Sequence, residues 1–255
     1  MSAKVSKGQA MRAALARAQA YGLLAGAFGR PDAAFEADVT EGGFGGALAE
    51  ALAALGHQEL AAAAAGAGGE PEGLLAAEFA RLFNPSVHAN CPPYGTEYTG
   101  AHVFMRAQHL ADVAGFYRAF GLRVAADFRE RPDHIATELE FMQVLALKEA
   151  LALARRERAH AGICRRAQAR FLREHLGRWL APYCQRLAAL DAAGFYARVA
   201  GLARDFAAKD SARLGVEPQI GIAPPVTEPV SEGDSPGREL EVACPTPGGE
   251  ADDPR

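Results

Sequence analysis

Three features of the chain predict an all-α fold. Ala and Leu dominate a composition that is 49% hydrophobic, β-branched residues are scarce, and alternating strand patterns are almost absent. A length of 255 residues supplies one sizeable core or two small ones. The expectation is a single helical globule of about eight to ten helices over residues 1–214, with a disordered acidic tail over 215–255.

The elements follow in order. Over 9–28, Leu15, Ala18, Gly22 and Ala25 share a helix face beside Tyr21, Leu24 and Phe28. Lys4 and Lys7 precede this Ala-rich stretch as they would in a targeting signal, but Arg12, Arg17 and Gln19 interrupt it. Only Tyr21 to Phe28 is continuously apolar, which is too short to span a bilayer, so no stable membrane insertion is expected. No twin-arginine pair near the start marks the chain for export. Cys91, Cys164, Cys184 and Cys244 lie far apart with no C-x-x-C, which fits a reduced, cytoplasmic protein.

A second helix is expected over 44–65, although Gly42-Gly-Phe-Gly-Gly46 and the Ala61–Ala65 run also suit a mobile connection. Gly66-Ala-Gly-Gly69 breaks the chain before Pro71 opens a helix over 71–83, at a position that tolerates a missing N–H. Further helices are expected over 104–120, 133–157, 159–176, 177–190 and 193–210, without the fixed period of a solenoid. Residues 215–255 carry eight of the fifteen prolines, six glycines, no aromatic, and nine acidic residues against Arg238 and Arg255. That segment has a net charge of −7, leaving +3 of the chain's −4 to residues 1–214. It holds too little apolar area to offset its ordering entropy.

Two stretches stand out chemically, and each joins an apolar helix to a Pro-bearing loop. In the first, Leu75, Phe79, Leu82 and Phe83 form one apolar stripe, suited to a core or to a groove, and Glu78 and Arg81 at i, i+3 can pair weakly. The fourteen-residue loop from Asn84 to Glu97 holds Pro85, Pro92, Pro93 and Tyr94, and a loop this long is often a binding loop. Tyr94 and Tyr98 add rings with hydroxyl handles, apt for gripping an apolar peptide.

The second stretch is Arg131-Pro-Asp-His-Ile-Ala-Thr-Glu-Leu-Glu-Phe-Met142. Pro132 favours an extended Arg131. Asp133 reads as the N-cap of the helix that follows, or as a charge that engages a ligand. His134, Glu138 and Phe141 then share one face, while Ile135, Leu139 and Met142 face the core.

No complete catalytic constellation accompanies them. His134 and Glu138 could serve a small helical metalloenzyme with one of His88, Cys91, His102 or His109, but the spacing is not H-E-x-x-H and sequence places no third ligand. There is no Gly-rich phosphate loop and no G-x-S-x-G elbow, so no cofactor is expected. Arg155, Arg156, Arg158, Arg165, Arg166, Arg170, Arg173 and Arg178 suit a solvated helix face, or one that receives the acidic tail. Without interleaved aromatics they do not argue for nucleic acid.

The chain resembles the TorD/DmsD/NarJ family of chaperones for molybdenum-containing redox enzymes. The resemblance rests on Glu78-Phe-x-x-Leu-Phe83 with Pro85, Pro92-Pro-Tyr-x-x-x-Tyr98, Pro132-Asp-His-Ile-x-x-Glu-Leu-x-Phe-Met142 and Phe171-x-x-x-His-Leu-x-x-Trp179, across about residues 10–210. The Cys91-Pro-Pro-Tyr loop, with Ala114-Gly-Phe-Tyr-Arg-Ala-Phe-Gly121, is similar to the branch serving dimethyl-sulfide, selenate or ethylbenzene dehydrogenases. The resemblance implies a cytoplasmic, non-enzymatic helical chaperone. Its partner would be the immature catalytic subunit of a molybdopterin-containing oxidoreductase, held by its twin-arginine leader peptide until cofactor insertion. Carried over, Phe79, Leu82 and Phe83 would contact the leader's apolar stretch, with Tyr94 and Tyr98 beside them and Asp133, His134 and Glu138 at the polar end. A groove with carboxylates at one end matches such a leader, since carboxylates offer arginine bidentate partners.

Overall fold

A computed structural model describes residues 7–71, 73–83, 91–99, 103–125, 130–191 and 193–218. Among these, ten α-helices and one 3-10 turn form, with no β-strand. The helices are α1 (Lys7–Ala27), α2 (Ala33–Thr40), α3 (Gly43–Ala54), α4 (Gln58–Ala65), α5 (Leu74–Phe83), α6 (Val103–Ala119), α7 (Ile135–Ala154), α8 (Arg158–Glu174), α9 (Leu176–Asp191) and α10 (Phe195–Leu214). The all-α expectation holds. No helix among the described residues is long and apolar enough to cross a membrane.

Two helix expectations need correction. The span expected as one helix over 44–65 is two, α3 and α4, because the chain turns at Gly56, whose φ of +80° is a left-handed conformation that costs glycine little. Helix α2 was not anticipated, and its signal is Asp32, which caps it by accepting from the Phe35 N–H at 2.8 Å.

The centre of the fold is the antiparallel-bundle pair of α1 and α7, the most extensive helix contact, flanked by α3, α8 and α10. A buried polar network fixes their register. Arg17 of α1 donates to Glu149 of α7 at 2.5 Å and lies 3.6 Å from Asp210 of α10. Tyr21 donates to Asp210 at 3.0 Å, and Gln168 of α8 donates to Glu149 at 2.9 Å. Around it, Tyr21, Phe28, Phe44, Phe171, Trp179, Tyr183, Phe195 and Phe206 are among the largest fully buried side chains. Helix α10 runs to Leu214, four residues past the expected 210. Gly215 closes it at φ +69°, and Val216 still packs on the core. The acidic tail beyond Pro218, with Cys244, lies outside the described residues.

Candidate functional site

The residues singled out from sequence fall into two clusters. The first is built on α5. Its stripe turns inward: Leu75, Leu82 and Phe83 are buried, while Phe79 is half-buried at the edge. Phe79 meets Phe83 edge-on at 5.1 Å and Tyr196 of α10 at 5.9 Å, and Phe83 meets Tyr196 at 5.2 Å. Glu78, on the neighbouring face, is also buried. Burial and the adjacent Asp191 push its carboxyl up to about 7. Arg81 does not pair chiefly with Glu78 as the i, i+3 spacing suggested. It reaches Asp191 at 2.6 Å and stands 3.9 Å from Glu78.

The second cluster locks the Cys91–Thr99 loop onto the start of α7. Gly95 N–H donates to the Asp133 carbonyl and Ile135 N–H to the Pro93 carbonyl, each at 2.9 Å, around an antiparallel bridge between Tyr94 and His134. The 3-10 turn Gly95–Glu97 then carries the loop across α9. Glycine is needed at 95, since a Cβ there would lie 2.8 Å from Trp179 Nε1. Beneath the loop Tyr98 is fully buried, stacked on Trp179 at 5.9 Å and edge-on to Tyr183 at 5.7 Å. Cys91 Sγ contacts the Tyr98 hydroxyl at 3.5 Å, and burial pushes this thiol up to about 12.

Asp133 is not the cap of α7. His134 is, its Nδ1 accepting from the Ala136 N–H at 3.2 Å. That role needs a neutral ring, and burial lowers the His134 pKa to about 4. The Asp133 side chain instead points back into the loop and is completely buried. Its Oδ2 accepts from the Thr96 N–H and Oγ1, both at 2.9 Å. Arg131 forks onto it, Nε to Oδ1 at 3.0 Å and Nη2 to Oδ2 at 2.9 Å. Burial opposes the Asp133 charge, but the Arg131 fork and the Thr96 donors outweigh it and hold the carboxyl below its ordinary value.

Glu138 is the opposite case. It is fully buried and accepts from Trp179 Nε1 at 3.0 Å. Burial raises its pKa well above the ordinary value despite the Trp179 hydrogen bond, and so favours the protonated form. Two buried carboxyls at the start of α7, Asp133 just before it and Glu138 within it, thus have their pKa values shifted in opposite directions. Pairing decides the difference.

Of the eight residues named from sequence, Leu82, Phe83, Tyr98, Asp133, His134 and Glu138 are buried in the chain itself, and Phe79 and Tyr94 reach the surface. The structure pairs Tyr94 with His134, ties Asp133 to the same loop through Thr96, brings Tyr98 and Glu138 together on Trp179, and groups Phe79 and Phe83 around Tyr196. Tyr183 stands between the clusters, its pKa raised by burial first and then by neighbours that include Cys91, Tyr98 and Tyr196. Residues 84–90, which link the clusters in sequence, lie outside the described residues.

Sequence reasoning passed over Arg131, Thr96 and Glu97 as a unit, although an arginine two residues before Asp133 and a Thr-Glu pair in the facing loop were its signal. Of the metal-ligand set, His88 and His102 lie outside the described residues. His109 packs against His175 at 5.3 Å. Among the described residues no three His, Cys, Asp or Glu side chains converge as metal ligands do.

The family model described as nitrate reductase delta subunit matches residues 46–185, more than half of the chain, from within α3 to within α9, a span that holds α5, the Cys91–Thr99 loop and the start of α7. The chain belongs to the nitrate reductase delta subunit family, within which the TorD and NarJ chaperones fall. Among its relatives, the selenate reductase assembly chaperone protein of Thauera selenatis is 38% identical over 113 residues, covering 44% of this chain and 56% of that one. The chaperone protein TorD of Vibrio cholerae is 32% identical over 138 residues, 53% of this chain and 60% of that one. The perchlorate reductase assembly chaperone protein of Dechloromonas aromatica is 35% identical over 132 residues, 51% of this chain and 58% of that one. The matched stretch therefore spans less than two thirds of the length of each relative. All three are named as chaperones, and two of the three as assembly chaperones of a reductase, for selenate and for perchlorate.

Proposed function

We propose that this chain is an assembly chaperone, a binding protein and not an enzyme. Its partner is the immature catalytic subunit of a molybdopterin-containing oxidoreductase, which it holds in the cytoplasm by the twin-arginine leader during cofactor insertion and before export. The observation that carries this reading is the interlocked loop-to-α7 junction within the family-matched span. It presents an aromatic ring, Tyr94, beside a set of carboxylates and a hydroxyl already arranged around a guanidinium. A leader of this kind joins an arginine-bearing head to an apolar stretch. The carboxylate-rich junction suits the head, and the half-buried Phe79 on α5 suits the apolar part. The buried Leu82, Phe83 and Tyr98 act beneath these surfaces by fixing the rings above them.

Calorimetric titration of the protein with a synthetic twin-arginine leader tests the reading. Saturable one-to-one binding is expected, weakened by about 1–3 kcal/mol when both arginines become lysine, because the ammonium lacks the bidentate fork. Equal affinity for the two peptides would reject arginine recognition, and no heat with either would reject the leader as ligand.

A further inference from the structure

Arg131 is held as a ligand is held. Its guanidinium forks onto Asp133, donates from Nη2 to Thr96 Oγ1 at 2.6 Å and from Nη1 to Glu97 Oε1 at 3.3 Å, and lies with Cζ 4.2 Å over the Tyr94 ring. An acid on one edge, an acid and a hydroxyl on another, and an aromatic face beneath make up the chemistry that recognises a guanidinium and not an ammonium.

The walls of this cage have anchors of their own. Thr96 N–H holds Asp133 at 2.9 Å. Glu97 is gripped by Arg106 of α6, at 3.3 Å and 3.1 Å. Tyr94 donates to Glu130 and is bridged to His134. Gly95 and Pro93 are tied to α7 through the backbone. None of these contacts uses the Arg131 side chain, so the walls of the cage do not depend on its occupant for their anchoring. Access is one-sided as well. Asp133 is wholly buried at the floor, while the Arg131 side chain is 35% exposed at the mouth.

We infer that the Asp133–Thr96–Glu97–Tyr94 cage is a guanidinium-binding site whose resident occupant is the chain's own Arg131, and that an arginine of the incoming client replaces it. The second half rests on the reading proposed above. The first half does not. Two consequences follow from tethering the occupant two residues from Asp133. Arg131 competes at high effective concentration, so an external arginine binds with its affinity multiplied by the small fraction of time the cage is vacant. The chaperone is closed by default and opens only to a ligand that contributes binding elsewhere, which protects the carboxylates from unrelated arginines.

The experiment is to empty the cage with Arg131→Ala and add N-ethylguanidinium or ethylammonium. Thermal unfolding, and the emission of Trp179, the only tryptophan, whose Nε1 adjoins Gly95, are the readouts. Expected are a lowered midpoint, recovery with N-ethylguanidinium but not with ethylammonium, and leader binding about tenfold tighter than to the wild type. A folded Arg131→Ala protein that responds alike to the two cations would overturn the cage. Rescue by N-ethylguanidinium with no leader binding to either protein would keep the cage and reject the leader. Equal leader affinity for wild type and variant would reject the exchange and leave the leader reading standing. Should Arg131→Ala not fold, Arg131→Lys serves, because its ammonium fills the cage less well. Tighter leader binding than wild type is then expected, and unchanged or weaker binding overturns the exchange.

Discussion

Asp133 and Glu138 sit five residues apart with pKa values shifted in opposite directions, and each can be tested alone. Asn would be a near-silent replacement for Asp133 if it were an N-cap. Because Asp133 instead binds Arg131 and Thr96 in a buried floor, Asp133→Asn is expected to destabilise the protein by about 1.5–3 kcal/mol, read from denaturant unfolding. His134→Asn keeps the cap and should cost little, whereas His134→Ala loses it. For Glu138 the folded pKa is raised, so the folded chain retains a proton that the unfolded chain releases above about 4.5. Its contribution is fully present below that unfolded value and is lost as pH rises. Glu138→Gln preserves an acceptor for Trp179 and cannot ionise. Its midpoint should gain on the wild type between pH 5 and pH 8, and a constant offset across that range would mean Glu138 is ionised in the fold. The sequence displayed all three side chains. It hid their partners, since Trp179 lies forty-one residues from Glu138 and Thr96 thirty-seven from Asp133.

At the scale of elements, the apolar stripe of α5 was legible from its spacing, but which of its residues face solvent was not. Periodicity gives a face, and only the neighbours of that face decide what is covered. Here α10 brings Tyr196 against Phe79 and Phe83, leaving Phe79 at the rim and Leu82 beneath. The two positions should therefore separate. Leu82→Ala is expected to cost about 2–5 kcal/mol of stability as a core truncation. Phe79→Ala should cost less than the roughly 3–5 kcal/mol of a fully buried Phe and should weaken leader binding by about 1–3 kcal/mol. Melting curves and calorimetry on both variants check this. Equal losses of stability and of binding at both positions would make α5 purely structural. Helices α2 and α4 were obscured for a different reason. Each is eight residues long, too short for a clear hydrophobic period, and their punctuation by Asp32 and Gly56 was the better signal.

For the whole molecule, composition and helical period were enough to give the fold class, because an Ala- and Leu-rich chain with few β-branched residues has no competing solution. The helix partners were not legible in the same way. The union of α1 with α7 and the pairing of Arg17 with Glu149 and Asp210 bind residues more than a hundred positions apart, which local pattern cannot rank. The candidate site inherits that limit. Its motifs were readable one by one, while their division into an α5 cluster and a loop-to-α7 cluster required the tertiary structure. The central claim is that a client leader is gripped on these two clusters. Hydrogen–deuterium exchange with and without a saturating twin-arginine leader tests it most directly. New protection is expected in residues 74–83, 94–98 and 131–138, with the arginine-rich α8 unchanged. Protection concentrated on α8, with those three segments unaltered, would contradict it.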